Sequence, residues 1–149
     1  MSLYRNSAYT VTYPSGRVSL PVGSPLYIGV VVPGRDPSFV VVLDNCYASH
    51  SPSSHDPRQY PLIRNKCPVD SRRVFVTENG RSSHARFTAM LFLPDNSREI
   101  YLHCNLSLCD QRRSICVPFC ARRRNRSVSN SDAMESLTIG PVVWEKSAE

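Results

Sequence analysis

The residues with the clearest chemistry in this sequence are its six cysteines. They form an even set, and none lies in the Cys-X-X-Cys spacing of zinc sites and redox enzymes. Such a set can close into disulfides, although the count alone leaves the connectivity open. Two Asn-X-Ser sequons, beginning at Asn105 and Asn125, are acceptors for N-linked glycans. Cysteines and sequons together predict an oxidising compartment, so we expect a secreted or cell-surface location.

A second chemical feature is the arginine-rich segment after the last cysteine. Its core, Arg123-Arg124-Asn125-Arg126, satisfies the Arg-X-X-Arg minimum of furin-like proteases. The alternative is a solvated basic loop that contacts heparin or nucleic acid. Its position just before an isolated apolar segment favours cleavage, although a glycan on Asn125 would hinder it. Other trypsin-like proteases would accept the same run, so the enzyme stays open.

The segment that follows the arginines is short, apolar and interrupted by a glycine–proline pair. It reads Leu137-Thr138-Ile139-Gly140-Pro141-Val142-Val143. Because proline has no backbone N–H to donate, the segment is predicted to lie along a sheet edge or a groove, not inside a sheet. There it would mask the surface that a partner strand needs, until a cut in the arginine run released it. The alternative is an ordinary last strand of the fold.

Other candidates for chemistry are weaker. The histidines are predicted to lie on the surface and not in a metal site, since no cysteine is expected to be free to join them: His50, His55, His84 and His103. The sequence has no Gly-X-Ser-X-Gly nucleophile motif, and bridged cysteines offer no thiolate. Acidic residues near predicted turns are more typical of capping than of catalysis. We therefore expect no enzyme, no metal and no cofactor.

The length and the charge of the chain limit the number of domains and the classes of partner. A chain of 149 residues is enough for one domain with a real core. Much of the net charge of +6 sits in two arginine groups, which indicates local features and not a nucleic-acid-binding face. No run approaches the roughly 20 apolar residues of a membrane span. The start at Met1 has no signal-peptide pattern, which predicts a fragment of a longer precursor.

The elements that must position these residues are predicted to be strands. Apolar, β-branched runs occur at 18–20, 26–32, 38–44, 74–76, 86–92 and 100–108, and no stretch has helical periodicity. In the last run, residues 100, 102, 104, 106 and 108 are predicted to face the core, and residues 101, 103, 105 and 107 to face outward, with Asn105 toward solvent. Residues 46–68, rich in Ser, His and Pro, are predicted to form a long loop. The pattern predicts an all-β sandwich.

Several short motifs spread along the chain form one recognisable set: Asn45-Cys46-Tyr47-Ala48, Asn65-Lys66-Cys67-Pro68, Glu78-Asn79-Gly80, Tyr101-Leu102-His103-Cys104, and Cys116 with Cys120. The set resembles the C-terminal half (ZP-C) of the zona pellucida (ZP) module, of the six-cysteine, uromodulin-like and egg-coat type. The resemblance implies an immunoglobulin-like β-sandwich with disulfide-stapled loops. The implied disulfides are Cys46–Cys104, Cys67–Cys120 and Cys109–Cys116.

The resemblance also implies an organisation and a function. Residues 1–120 would be the ZP-C sandwich, 121–135 a protease-sensitive linker and 136–145 the external hydrophobic patch. The implied function is a structural polymerisation module of a secreted or membrane-anchored glycoprotein that assembles into extracellular filaments or matrix, in an egg coat or a mucosal surface. Its partners would be other ZP modules, its own N-terminal ZP half and the cleaving protease, with a membrane anchor beyond this chain. The alternative is a non-polymerising, receptor-like ZP module that binds an extracellular ligand.

Overall fold

The computed structural model describes residues 1–14, 16–32, 36–53, 56–91, 99–120 and 132–145, with 132–135 described by backbone only. Within these ranges the chain forms ten strands and no helix. In chain order the strands are β1 (Ser2–Tyr4), β2 (Val18–Pro21), β3 (Leu26–Val31), β4 (Phe39–Ser49), β5 (Gln59–Arg64), β6 (Cys67–Pro68), β7 (Val74–Glu78), β8 (His84–Ala89), β9 (Glu99–Asp110) and β10 (Asp132–Glu145).

The strands form two sheets. One has four strands in the order β1-β3-β8-β7, and the other has six in the order β2-β10-β9-β4-β5-β6. Because successive side chains of a strand point to opposite faces, each sheet contributes one apolar face to a shared core. The four-stranded sheet contributes Ile28 and Phe87, and the six-stranded sheet contributes Leu43, Ile100 and Leu102, all at most 1% exposed. The fold is all-β and consistent with an immunoglobulin-like sandwich, as predicted.

The prediction of a long loop over residues 46–68 is wrong. Strand β4 continues past Cys46 to Ser49, and both β5 and β6 fall within the range. β5 pairs antiparallel with β4, and a register shift between Cys46 and Tyr47 accommodates its proline, Pro61. The burial of Leu62 and Ile63 stabilises this pairing. Two adjacent apolar residues among polar ones do not show the alternation by which strands are recognised.

The predicted orientation of β9 is correct for most of its residues. Ile100, Leu102, Cys104 and Leu106 are buried, whereas Leu108 is only half-buried. On the opposite face, the prediction of outward exposure is wrong for His103 and Ser107, which are each 1% exposed. Both residues lie on a strand flanked by β4 and β10, whose side chains cover this part of the outer face.

Candidate functional site

The candidate site is the place that β10 occupies beside β9 and β2, which we call the β10 slot. β10 pairs antiparallel with β9 from Asp132 to Val143 and parallel with β2 from Val142 to Glu145. The prediction that its Gly–Pro pair keeps it out of a sheet interior is therefore wrong for the last residues. Upstream of Val142, no described residue pairs with β10 on the β2 side, and there the strand is an edge, as predicted.

The Gly–Pro pair is accommodated by an irregularity in the ladder. The register with β9 shifts between Ile139 and Val142, so Pro141 lies where a ladder N–H is not required. Before the shift the odd-numbered residues of β10 whose side chains are described face the core, and after it the even-numbered residues do. Leu137 and Ile139 are half-buried against the core before it, and Val142 and Trp144 are buried after it, at 1% and 7% exposure. Both halves of the strand therefore contribute apolar side chains to the core.

Gly140 has a backbone conformation that suits glycine. Its φ is +139°, and a Cβ added there would lie 2.9 Å from Cδ2 of Tyr101 and 3.1 Å from the carbonyl oxygen of Ile100. L-residues rarely adopt this conformation, and neighbouring β9 leaves no room for a side chain. Gly140 thus permits the close approach of β10 to β9 at the irregularity.

A buried histidine connects β10 to two other strands on the outer face of the sheet. The Nδ1 atom of His103 lies 2.9 Å from the hydroxyl of Thr138 on β10, and its Nε2 atom lies 2.7 Å from the hydroxyl of Ser49 on β4. The ring stacks on Tyr47, with centroids 4.9 Å apart. Burial lowers the pKa of His103, partly opposed by a hydrogen bond with the Ser51 backbone and by the charge of Asp56.

The prediction that His103 is a surface residue is wrong, because the residue is 1% exposed. Ser49 forms a serine–histidine pair with His103, yet Ser49 is 0% exposed, so a substrate cannot reach its Oγ atom. Among the residues that the structure describes, there is no group of three His, Cys, Asp or Glu side chains that could hold a metal ion. The arrangement is suited to holding strands together.

The sequon at Asn105 lies next to β10. The hydroxyl of Ser136 donates a hydrogen bond of 2.7 Å to Oδ1 of Asn105, whose side chain is only half-buried. The sequon hydroxyl, on Ser107, is buried and donates to Oδ1 of Asp44 at 3.1 Å. Glycosylation of Asn105 stays a prediction, and Asn125 lies outside the described residues.

Three disulfides hold the remainder of the six-stranded sheet and its loops. Cys46–Cys104 connects β4 to β9, Cys67–Cys120 connects β6 to the end of the loop after β9, and Cys109–Cys116 closes that loop. These are the pairs that the resemblance implies. All six cysteines precede residue 121, so none of the three bridges reaches β10.

The predicted cleavage residues, Arg123, Arg124, Asn125 and Arg126, lie outside the described residues. The structure describes the chain on either side of them, up to Cys120 and again from Asp132, where β10 begins. The described part of the chain contains no helix of the length and apolarity needed to cross a membrane.

Sequence reasoning did not identify the partners of His103. Strand alternation gives the face on which His103 lies, but the hydroxyls that bind it come from positions 54 and 35 residues away. Only the register of β9 with β4 and β10 brings them together: Tyr47 lies opposite His103 on one side and Thr138 on the other. A single sequence carries no signal for that register.

Comparison with known proteins shows which family and which relatives this chain is similar to. The zona pellucida family model, described as the ZP-C domain, matches residues 1–120. Rat (Rattus norvegicus) uromodulin is 40% identical over 145 residues, covering 95% of this chain and 22% of that protein. The pancreatic secretory granule membrane major glycoprotein GP2 of mouse (Mus musculus) is 39% identical over 146 residues, covering 95% and 28%. Chicken (Gallus gallus) alpha-tectorin is 36% identical over 153 residues, covering 99% and 7%.

The chain therefore spans less than a third of the length of these relatives. The family match, in contrast, covers most of the chain and includes all six cysteines. Its all-β fold and three disulfides agree with that match. The chain belongs to the zona pellucida family, as a ZP-C domain.

Proposed function

We propose that this ZP-C domain is a structural polymerisation module of an extracellular glycoprotein, held inactive by β10 until the chain is cut before that strand. The observation that supports this function is the position of β10 outside the disulfide framework. All six cysteines lie at or before Cys120, and β10 begins at Asp132. A single cut between these two residues would leave β10 held by non-covalent contacts alone.

The loss of β10 would open the β10 slot. Val142 and Trp144 would leave the core, together with the half-buried Leu137 and Ile139. Each fully buried apolar side chain stabilises the folded state by roughly 2 kcal/mol, so the open slot would favour refilling by another strand. The ladder groups of β9 would also lose their partners, and an extended segment can satisfy them by strand addition.

We assign the occupant of the open slot to another ZP module, through a strand of the same or of a different protein. The N-terminal ZP half of the same protein and a furin-like or other trypsin-like protease complete the proposed set of partners. The proposed cleavage region, residues 121–135, overlaps the start of β10, so residues 121–131 are the better window. Residues 136–145, the proposed external hydrophobic patch, lie within β10. A membrane anchor beyond residue 149 is part of the same proposal.

Electron microscopy of the full-length secreted protein tests this function. In the first variant Arg126 is replaced by alanine, and in the second Arg122, Arg123 and Arg124 are replaced as well. We expect cleaved wild-type protein to form filaments. The second variant should remain as separate particles, with the C-terminal segment still present by mass spectrometry, because no basic residue remains in the linker.

The matched control is Arg113→Ala, because Arg113 lies outside the linker and its side chain, in an ion pair with Asp110, is 86% exposed. This variant should assemble like the wild type. Filaments formed by the uncleaved second variant would contradict the proposal. Absence of filaments after complete cleavage of the wild type would also contradict it, and would favour the receptor-like alternative.

A further inference from the structure

We propose that His103 is a pH-sensitive latch on β10, which holds the strand while the imidazole is neutral and loosens it on protonation. The inference rests on the proposed function, because it concerns the regulation of β10 release. Its basis is the geometry of one buried ring that contacts β4 and β10 from the strand between them.

The hydrogen bonds of Ser49 define the tautomer of the neutral ring. Its hydroxyl donates to the backbone oxygen of Ser51 at 2.8 Å. Because the single hydroxyl hydrogen of Ser49 is used in that bond, its Oγ atom can only accept from His103, so the proton of the ring lies on Nε2. The Nδ1 atom of the neutral ring then carries a lone pair, which accepts the hydroxyl hydrogen of Thr138 on β10. The closed state is thus matched to the neutral, Nε2-protonated imidazole.

Few groups near the ring favour its protonated form. On β4 the ring faces Tyr47, whose side chain stacks on it. Two groups from the segment after β4 favour the charged ring: the backbone of Ser51 through a hydrogen bond, and the carboxylate of Asp56 through its negative charge. On β9, Tyr101 and Asn105 precede and follow it on the same face. On β10 the contact is with the uncharged Thr138. Burial outweighs the favourable groups, so the pKa of His103 lies below its ordinary value of 6.5.

The sign of the pH effect follows from this depressed pKa. When β10 leaves, His103 loses Thr138, gains water and returns toward its ordinary pKa, so opening takes up a proton. The contribution of His103 to β10 retention is complete above pH 6.5 and declines as the pH falls below that value. Each unit of pKa depression can shift the ratio of closed to open states by at most about tenfold. Acidification therefore favours release.

Amide hydrogen exchange on the intact, uncleaved chain tests the latch. Exchange rates at pH 7.5 and pH 5.5 are corrected for the intrinsic pH dependence of each amide. We expect the protection of residues 137–139 to fall at the lower pH, by at most about tenfold. Protection at Ile28 and Phe87, paired in the other sheet, should stay constant. His103→Gln should remove this pH response, and His84→Gln, in β8, should preserve it.

Nitrogen-15 NMR of the imidazoles gives an independent measure, and should show the proton of neutral His103 on Nε2 and a titration below the ordinary value. An unchanged pH response in His103→Gln would overturn the latch, as would titration of His103 at its ordinary value. If His103→Gln does not fold, Thr138→Val replaces it, because Thr138 is solvent-exposed. This variant should lower the protection of residues 137–139 at pH 7.5, and unchanged protection would overturn the latch.

The failure of the latch and the failure of the proposed function are distinguishable. After proteolysis within residues 121–131, native mass spectrometry at both pH values shows whether β10 leaves. Departure at equal rates at both pH values overturns the latch and leaves the proposed function standing. A β10 segment that stays bound at every pH, with no assembly, overturns the proposed function and with it the latch.

Discussion

Asn79 and Gly80, which follow β7, join the two sheets through single-residue contacts. The side-chain amide of Asn79 accepts from the backbone N–H of Leu43 at 2.8 Å and donates to its carbonyl at 3.4 Å. The N–H of Gly80 donates to the carbonyl of Val41 at 3.0 Å. Asn79 is 5% exposed, so the pair acts as a short piece of ladder between β7 and β4. An Asn-Gly pair is typical of a tight turn, and that pattern gives no indication of this second role.

Substitution of Gly80 by alanine should destabilise the domain by about 3 kcal/mol or more. Its φ is +82°, and an added Cβ would lie 2.8 Å from the carbonyl carbon of Cys116. Gly23→Ala is the matched control, because its φ is +89° with no atom within 4 Å of the added Cβ. The control should cost only about 1 kcal/mol, the penalty of the left-handed conformation. Urea unfolding measures the free energy of unfolding of both variants. Equal losses would show that the close contact with Cys116 does not contribute to the effect of Gly80→Ala.

Single residues were predictable where local alternation decides their environment. Ile100, Leu102 and Cys104 follow the period of two along β9, and sequence alone gives their burial. His103 belongs to the opposite phase, and its burial depends on side chains from β4 and β10. That information is tertiary, so an interpretation from composition places this histidine on the surface.

The irregular strand β10 shows how an element can both belong to a sheet and be suited to leave it. Its Gly–Pro pair changes the phase of inward residues, and among the described residues only Val142 and Val143 pair with strands on both sides, while Trp144 and Glu145 pair with β2. Upstream of Val142, β10 pairs with β9 alone among the residues that the structure describes, and its half-buried Leu137 and Ile139 pack against the core. Residues 142–145 therefore anchor the strand, and resistance to release should be concentrated there.

Val142→Ala should weaken β10 retention by about 2 kcal/mol, because the buried Val142 side chain loses two carbons and leaves a cavity. Val143→Ala is the matched control, since Val143 points to the other face and is only half-buried. It should cost less than about 1 kcal/mol. The dissociation rate of the β10 segment from cleaved protein is the measurement. Equal rates for the two variants would contradict the anchoring role of Val142.

At the level of elements, sequence predicts strands well where they are apolar throughout and poorly elsewhere. β3 and β9 have long apolar or alternating runs, and their predicted ranges agree with the structure. β5 has only Leu62 and Ile63 as apolar neighbours and contains a proline. Its existence depends on pairing with β4, whose paired residues lie 10 to 17 positions earlier, from Ser49 with Gln59 to Cys46 with Ile63, and local patterns do not show that pairing.

The whole molecule combines two sheets with three disulfides of unequal span. Cys46–Cys104 and Cys67–Cys120 have sequence separations of 58 and 53, whereas Cys109–Cys116 has a separation of 7. In the chain-entropy view, a longer closed loop restricts the unfolded state more and so stabilises the folded state more. The two long bridges should therefore dominate the covalent contribution to stability.

Replacing both Cys46 and Cys104 by alanine should lower the free energy of unfolding by about 4 kcal/mol, with an increased denaturant slope. The matched pair Cys109→Ala and Cys116→Ala should lower it by about 2.5 kcal/mol. Guanidinium unfolding under non-reducing conditions provides the comparison. A larger loss from the short bridge would show that local packing, and not loop closure, sets these contributions.

The family and its fold were accessible from sequence, because cysteine-centred motifs extend along nearly the whole chain. The match over residues 1–120 confirms that assignment, and membership of the ZP family supports the prediction that the chain is not an enzyme. The neighbour relations within the six-stranded sheet were not accessible, since β2 and β10 meet from opposite ends of the sequence.

That last pairing has a consequence for biosynthesis. On the six-stranded sheet, the strand at residues 18–21 has β10 as its neighbour, and residues 142–145 leave the ribosome more than a hundred positions later. Until then a nascent chain can oxidise Cys46 with Cys104 and assemble β4, β5 and β9, but the early strand must wait. Closure of this sheet consequently waits until residues 142–145 have emerged, and until then a chaperone that binds extended apolar segments would find residues 18–21 available.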